Sequence, residues 1–131
     1  METTFVMIKP DAVSRGLENE ILRRIEASGL RVVEKRKLRL SREQAGRLYE
    51  SHRGKDFFEK LINFTTSGEV EVMKVVGENA IRRMRELIGP TDPVKAPKGT
   101  IRGDYGTSGT ENAIHAADSP ESAERELSIF F

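Results

Sequence analysis

The run from Thr3 to Ile8 constrains this chain more than any other. It reads Thr-Thr-Phe-Val-Met-Ile, β-prone and almost wholly apolar. A continuous apolar segment of strand length marks a buried central strand. Lys9-Pro10 ends it, because proline cannot donate to a strand ladder and restricts the residue before it. The rest of the chain must be arranged around that strand.

The following segments read as alternating helices and strands. Leu17, Ile21, Leu22 and Ile25 recur at helical spacing, and Gly29 supplies the stop. Arg31 to Leu40 reads as a strand with basic residues alternating through its second half. Ser41-Arg-Glu-Gln44 has the form of a capping box, opening a helix from Arg42 to about Ser51. Asp56 to Phe64 is helical in pattern, with Phe57, Leu61 and Phe64 on one face; Thr65 to Gly68 is a turn. Glu69 to Val76 reads as a strand and Asn79 to Ile88 as a helix. Residues 89–109 are rich in Pro and Gly, and a loop of that length inside a small domain is usually functional or disordered. A short last strand forms around Ile114, and Ser119-Pro120 then caps a final helix carrying Ala123 and Leu127. The order is close to βαββαβ, the ferredoxin-like α+β arrangement, with helices on one face of an antiparallel sheet.

Bulk properties narrow the function classes. A chain of 131 residues fits one compact domain, 1–131. With 37% apolar and 33% charged residues it reads as soluble and globular. The balance of 22 Lys plus Arg against 21 Asp plus Glu argues against bulk binding to nucleic acid, which needs a concentrated basic surface. There is no cysteine, so disulfides and thiolate metal sites are excluded; this suits the cytoplasm. The first strand begins too near Met1 for a signal peptide, and no apolar run is long enough to span a bilayer.

Two histidines are available for chemistry. His115 lies among small residues in Asn112-Ala-Ile-His-Ala-Ala-Asp118, which leaves its ring accessible. On the residues alone, a histidine satisfied by an ordinary hydrogen bond is the commoner case. His52 reads as a solvated residue at a helix C-terminus. In the long loop, Arg102 between the glycines Gly99 and Gly103 suits close approach to phosphate oxygens, and Thr91 offers a hydroxyl. There is no Walker A sequence and no G-x-G-x-x-G, so any nucleotide would be held by side chains.

Taken in order, several segments resemble the nucleoside diphosphate kinase family over essentially the whole chain. They are Thr4-Phe-Val-Met-Ile-Lys-Pro-Asp11, Phe57-Phe58, Thr66-Ser-Gly68, Gly89-Pro-Thr-Asp-Pro93, Gly99-Thr-Ile-Arg-Gly-Asp104, Asn112-x-x-His115 and Arg125-Glu-Leu-Ser-Ile-Phe-Phe131. The resemblance implies transfer of the γ-phosphate of a nucleoside triphosphate to a nucleoside diphosphate, through a phosphohistidine at His115 and with broad base specificity. It implies that Glu126 accepts a hydrogen bond from the other ring nitrogen and that the Tyr49 hydroxyl lies beside the ring. Arg85, Thr91 and Arg102 would bind phosphates. Lys9 would reach the ribose hydroxyl and the transferred phosphate, and Asn112 the sugar. Phe57 would stack on the base, with Leu61 beside it. Mg²⁺ would arrive on the nucleotide, with Asp118 near enough to touch its waters. A homo-oligomer is implied as well.

The pattern is broken at named positions. Ala117 stands where the family usually has Ser, so a local hydrogen bond is expected to be lost, not the reaction. Gly109 replaces an apolar residue that covers the second face of the base. Asp56 and Glu69 replace prolines, and Pro97-Lys-Gly99 replaces the order Lys-Pro-Gly. The chain ends at Phe131, short of a tail that the family often uses in assembly.

Overall fold

The computed structural model describes all residues from Met1 to Phe131. Its sheet has four strands, β1 (Glu2–Ile8), β2 (Arg31–Arg39), β3 (Glu69–Gly77) and β4 (Ile114–Ala116), in the order β2-β3-β1-β4. All three pairings are antiparallel. The apolar run Thr3–Ile8 therefore lies inside the sheet, as its composition requires, and Thr4 to Ile8 are all fully buried.

Seven helices accompany the sheet: α1 (Pro10–Ser14), α2 (Glu18–Ala27), α3 (Arg42–Leu48), α4 (Phe58–Thr65), α5 (Ala80–Ile88), α6 (Ile101–Tyr105) and α7 (Pro120–Phe130). Successive side chains of a strand point to opposite faces. Val6 and Ile8 join Met73 and Val75 under α2 and α5, against Ile21, Ile25, Met84 and Ile88. Phe5 and Met7 join Val70 and Val72 on the other face, against Leu48, Leu61 and Phe130 from α3, α4 and α7. The expectation of helices on one face is thus corrected: both faces are covered. The physical reason lies in β1 itself, where apolar residues at odd and even positions alike demand burial on both sides.

Local capping signals act as read. Ser41 and Gln44 form both bonds of the capping box at the start of α3. Ser119 accepts from the Ser122 N–H with Pro120 at the first helical position of α7. Other boundaries differ. Pro10 ends β1 but also opens α1, where its missing N–H costs nothing. The helix from Arg42 stops at Leu48, and a turn of 3₁₀ helix follows at Glu50–His52. The long loop contains α6, capped by Thr100, whose hydroxyl accepts from the Gly103 N–H at 3.0 Å. A Cβ at Gly103 would collide with the Pro97 carbonyl oxygen, so this tight turn needs glycine. Glu69, in place of a proline, opens β3 and pairs with Arg39.

Candidate active site

β4 is short, but its register decides where the chemistry sits. His115 faces Met7 across the ladder, so its ring lies on the side of the sheet covered by α3, α4 and α7. The ring meets Phe5 at 6.0 Å between centroids and the edge of Tyr49 at 5.5 Å. Nε2 lies 2.8 Å from Oε1 of Glu126, a residue of α7 whose side chain is only 4% exposed. A carboxylate accepts and does not donate, so Nε2 carries the hydrogen. The tautomer with its hydrogen on Nε2 has its lone pair on Nδ1.

A cavity of about 420 Å³ adjoins this ring. It is lined by Lys9, Tyr49, Phe57, Leu61, Arg85, Thr91, Arg102, Asn112, Asp118 and Glu126 together with His115. The residues singled out from the sequence come from β1, β4, five helical or turn segments and the long loop, and the fold brings all of them to one place.

The cavity is cationic, and three of its cations, Lys9, Arg85 and Arg102, have no carboxylate partner in an ion pair. Lys9, at the end of β1, is 3% exposed and donates to Asn112 Oδ1 at 3.0 Å. Burial, helped by the Arg102 charge and opposed by Asp11 and Glu111, lowers its pKa to about 8. Arg102 on α6 is 5% exposed. Its Nε and Nη2 donate to the Ile114 carbonyl at 3.2 and 2.8 Å, and its Nη1 to Gly89 at 3.1 Å. Burial first, and Arg85 second, lower its pKa to about 10. Arg85, half-buried on α5, donates to the Ala116 carbonyl at 3.1 Å. Positive charges gathered in partial burial repel one another, and a polyanion relieves that cost.

Asn112 is engaged more fully than a sugar contact alone would require. Its Oδ1 accepts from Lys9, while Nδ2 donates to the Thr91 and Gly109 carbonyls at 3.0 and 3.1 Å. It ties the long loop to β1. Tyr49 is buried beside His115, and burial raises its pKa; the neighbouring Thr65 hydroxyl works the other way. No hydrogen bond of good geometry reaches its phenol oxygen. Phe57 stands at the mouth, 46% exposed, whereas Leu61 belongs to the core and reaches the cavity from within it.

One position differs from the sequence reading. His52 is not simply solvated: it is half-buried, lines the cavity, and stacks on Tyr49 with centroids 6.1 Å apart. Its pKa is lowered by burial and by the nearby charge of Lys55. The signal available in sequence was its spacing, three residues after Tyr49, which places both on one face of a helical turn. Ala117 packs with Ile81 and Ala123 in a small apolar cluster, so the missing hydroxyl is replaced by close packing. At Gly109 an added Cβ would meet nothing within 4 Å, which leaves that wall of the cavity open.

Comparison with known proteins places these features in a family. The family model described as nucleoside diphosphate kinase matches residues 2–131. A nucleoside diphosphate kinase of Ignicoccus hospitalis is 56% identical over 131 residues, covering 100% of this chain and 89% of that protein. One from Saccharolobus islandicus is 53% identical over the same length, covering 100% and 95%. Among solved structures, the enzyme of Encephalitozoon cuniculi superposes with a TM-score of 0.98 at 40% identity, covering 100% of this chain and 89% of the other. The Halobacterium salinarum enzyme, solved in complex with CDP, does so at 0.96 and 45%, covering 99% and 87%. A family match over nearly the whole length, on a fold that gathers a histidine, a buried glutamate and three unpaired cations, means that the chain belongs to the nucleoside diphosphate kinase family of enzymes.

Proposed function

We propose that this enzyme moves the γ-phosphoryl group of a nucleoside triphosphate to a nucleoside diphosphate in two steps through His115. The observation that carries the reading is the contact of His115 Nε2 with Glu126 Oε1 at 2.8 Å. It leaves Nδ1 as the nucleophile. Nδ1 attacks the γ-phosphorus, the bond to the β-phosphate oxygen breaks, and the diphosphate departs. A second diphosphate then attacks the phosphohistidine and regenerates the ring. One nucleotide site serves both halves, which is ping-pong kinetics.

The chain's own side chains supply the electrostatics. Arg85, Arg102 and Thr91 hold phosphate oxygens, and Lys9 reaches the transferred group and the ribose. Glu126 stabilises the positive ring that forms as Nδ1 bonds to phosphorus. The Tyr49 hydroxyl lies beside the ring, and Asn112 faces the sugar. Phe57, with Leu61 behind it, stacks on the base. A base face is common to every nucleotide, so this contact favours breadth over selection. The CDP carried by the Halobacterium enzyme is in keeping with such breadth.

Mg²⁺ fits the site as an ion carried by the nucleotide. No group of three His, Asp or Glu side chains converges to ligate a metal directly, and Asp118 is an exposed carboxylate on the cavity wall. Bound to phosphate oxygens, the ion would neutralise part of their charge, with Asp118 holding its waters. The reading includes a homo-oligomer working in the cytoplasm. No helix is long and apolar enough to cross a membrane.

The test is direct. Protein incubated with γ-labelled ATP is expected to carry an acid-labile, base-stable label that GDP or CDP discharges. His115→Ala is expected to take none. Wild-type protein that binds ATP yet takes no label would sink the reading.

A further inference from the structure

Ala113 is fully buried and held at a φ of +77°, a conformation that L residues rarely adopt. The Ile114 N–H donates back to the Asn112 carbonyl at 3.0 Å, closing a γ-turn centred on Ala113. Alanine has no polar side chain to compensate such a turn. Strain of this kind persists only where the surroundings impose it.

The surroundings that impose it come from the end of β1 and the start of α1. The Lys9 N–H donates to the Ala113 carbonyl at 2.9 Å. The Ala113 N–H donates to Asp11 Oδ2 at 3.0 Å, across 102 residues of sequence. Both backbone groups of the strained residue are therefore taken by one short segment. That segment also sends Lys9 Nζ to Asn112 Oδ1 at 3.0 Å. The other carboxylate oxygen, Asp11 Oδ1, is buried and receives no hydrogen bond. The carboxylate of this partly buried residue is thus half-satisfied, and its one side-chain service to another element is to hold the Ala113 amide.

We propose that Asp11 is a positioning residue of the phosphoryl-transfer site, its carboxylate clamping the strained turn at Ala113 so that Asn112 meets Lys9 and His115 meets Glu126. The proposal rests on the phosphohistidine reading and adds to it a residue outside the set that touches nucleotide. Without Asp11 the buried Ala113 N–H has no partner, and of the two bonds that hold the strained residue only the one from the Lys9 N–H to its carbonyl opposes relaxation of φ to negative values. The peptide between Asn112 and Ala113 then turns, and both the Lys9 contact and the entry into β4 move with it. Displacements of about 1 Å at a reacting group cost up to roughly 10²-fold in rate.

The experiment compares Asp11→Ala and Asp11→Asn, each alone and combined with Ala113→Gly. Glycine adopts a positive φ without strain, so it lessens the need for a clamp. Asp11→Ala is expected to lower kcat/KM at least about tenfold, with kcat for phosphohistidine formation falling as well as KM rising. Asp11→Asn retains an acceptor oxygen and is expected to recover most of the loss. Asp11→Ala is expected to cost less in the Ala113→Gly background than in the wild type. The merely structural alternative moves the melting temperature but leaves kcat and KM of the folded fraction intact, and that result overturns the proposal. So does a loss in Asp11→Asn as large as that in Asp11→Ala, or an Asp11→Ala loss that the Ala113→Gly background leaves unchanged. Hydrogen exchange at the Ala113 amide gives a readout independent of catalysis, slow in the wild type and fast in Asp11→Ala. Wild-type protein that forms no phosphohistidine removes the functional reading alone; unchanged exchange at Ala113 in Asp11→Ala removes the clamp alone.

Discussion

His115 Nε2 and Glu126 Oε1 lie 2.8 Å apart although one belongs to the shortest strand and the other to the last helix. Glu126 is buried by packing of α7 on the same sheet face that carries His115. If the glutamate fixes the tautomer and compensates the charged ring, Glu126→Gln is expected to lower kcat by about 10²-fold or more. Nucleotide affinity is expected to stay within about threefold, because the glutamate is engaged with the His115 ring. Single-turnover labelling and a separate ADP binding measurement distinguish the two effects.

Lys9 makes the site sensitive to alkaline pH. Its pKa is lowered to about 8, so the ammonium that phosphates require is lost as pH rises through that value. KM for nucleotide is expected to rise above pH 8, and Lys9→Arg is expected to move that limb upward, since guanidinium stays charged. Stability runs the other way. Between the folded value of about 8 and the ordinary value of 10.5 the unfolded chain binds more protons at this residue. The Lys9 contribution to stability of the nucleotide-free protein therefore increases with pH across that window. Melting temperatures of wild type and Lys9→Met between pH 7 and 10 check the sign.

Arg102 and Arg85 both face the cavity, but they are held differently. Arg102 spends three donors on the carbonyls of Ile114 and Gly89, while Arg85 makes a single such bond to Ala116. Arg102→Met is expected to cost roughly 2–3 kcal/mol of stability through unsatisfied buried carbonyls, as well as nucleotide affinity. Arg85→Met is expected to lose affinity with a stability change of about 1 kcal/mol or less. Urea denaturation and ADP titration of the two variants separate these roles; equal destabilisation would contradict the assignment.

Gly109 leaves open space where a side chain would fit, and its φ is not in the left-handed range. Gly109→Val is expected to tighten nucleotide binding by about threefold to tenfold, through partial burial of one valine against the base. The gain is expected with both purine and pyrimidine diphosphates. Titration calorimetry with ADP and CDP measures it, and unchanged affinity for both would place the base elsewhere in the cavity.

The parts of this protein that were legible in its sequence are those governed by near neighbours. The capping box of Ser41 and Gln44, the Ser119-Pro120 start of α7 and the apolar run of β1 each act over a few residues, so a linear pattern reports them. α6 escaped because five residues are too few for a period, and its stability comes from Thr100 and from Arg102 reaching other elements. His52 escaped because its partners, Tyr49 and Phe57, meet it around a turn that the pattern reads as helix end.

The sequence by itself determined the family, the α+β order of elements and the residue types brought to the site, because a set of matching segments in order is local information repeated along the chain. Only the tertiary structure decided how those residues are wired. Lys9 bonds Asn112 across 103 positions and Asp11 holds Ala113 across 102. Packing on both faces of β1 brings those ends together. Which ring nitrogen of His115 is free, which cations lack partners and which backbone is strained all depend on distances that close only when the sheet and its two helical layers are in place.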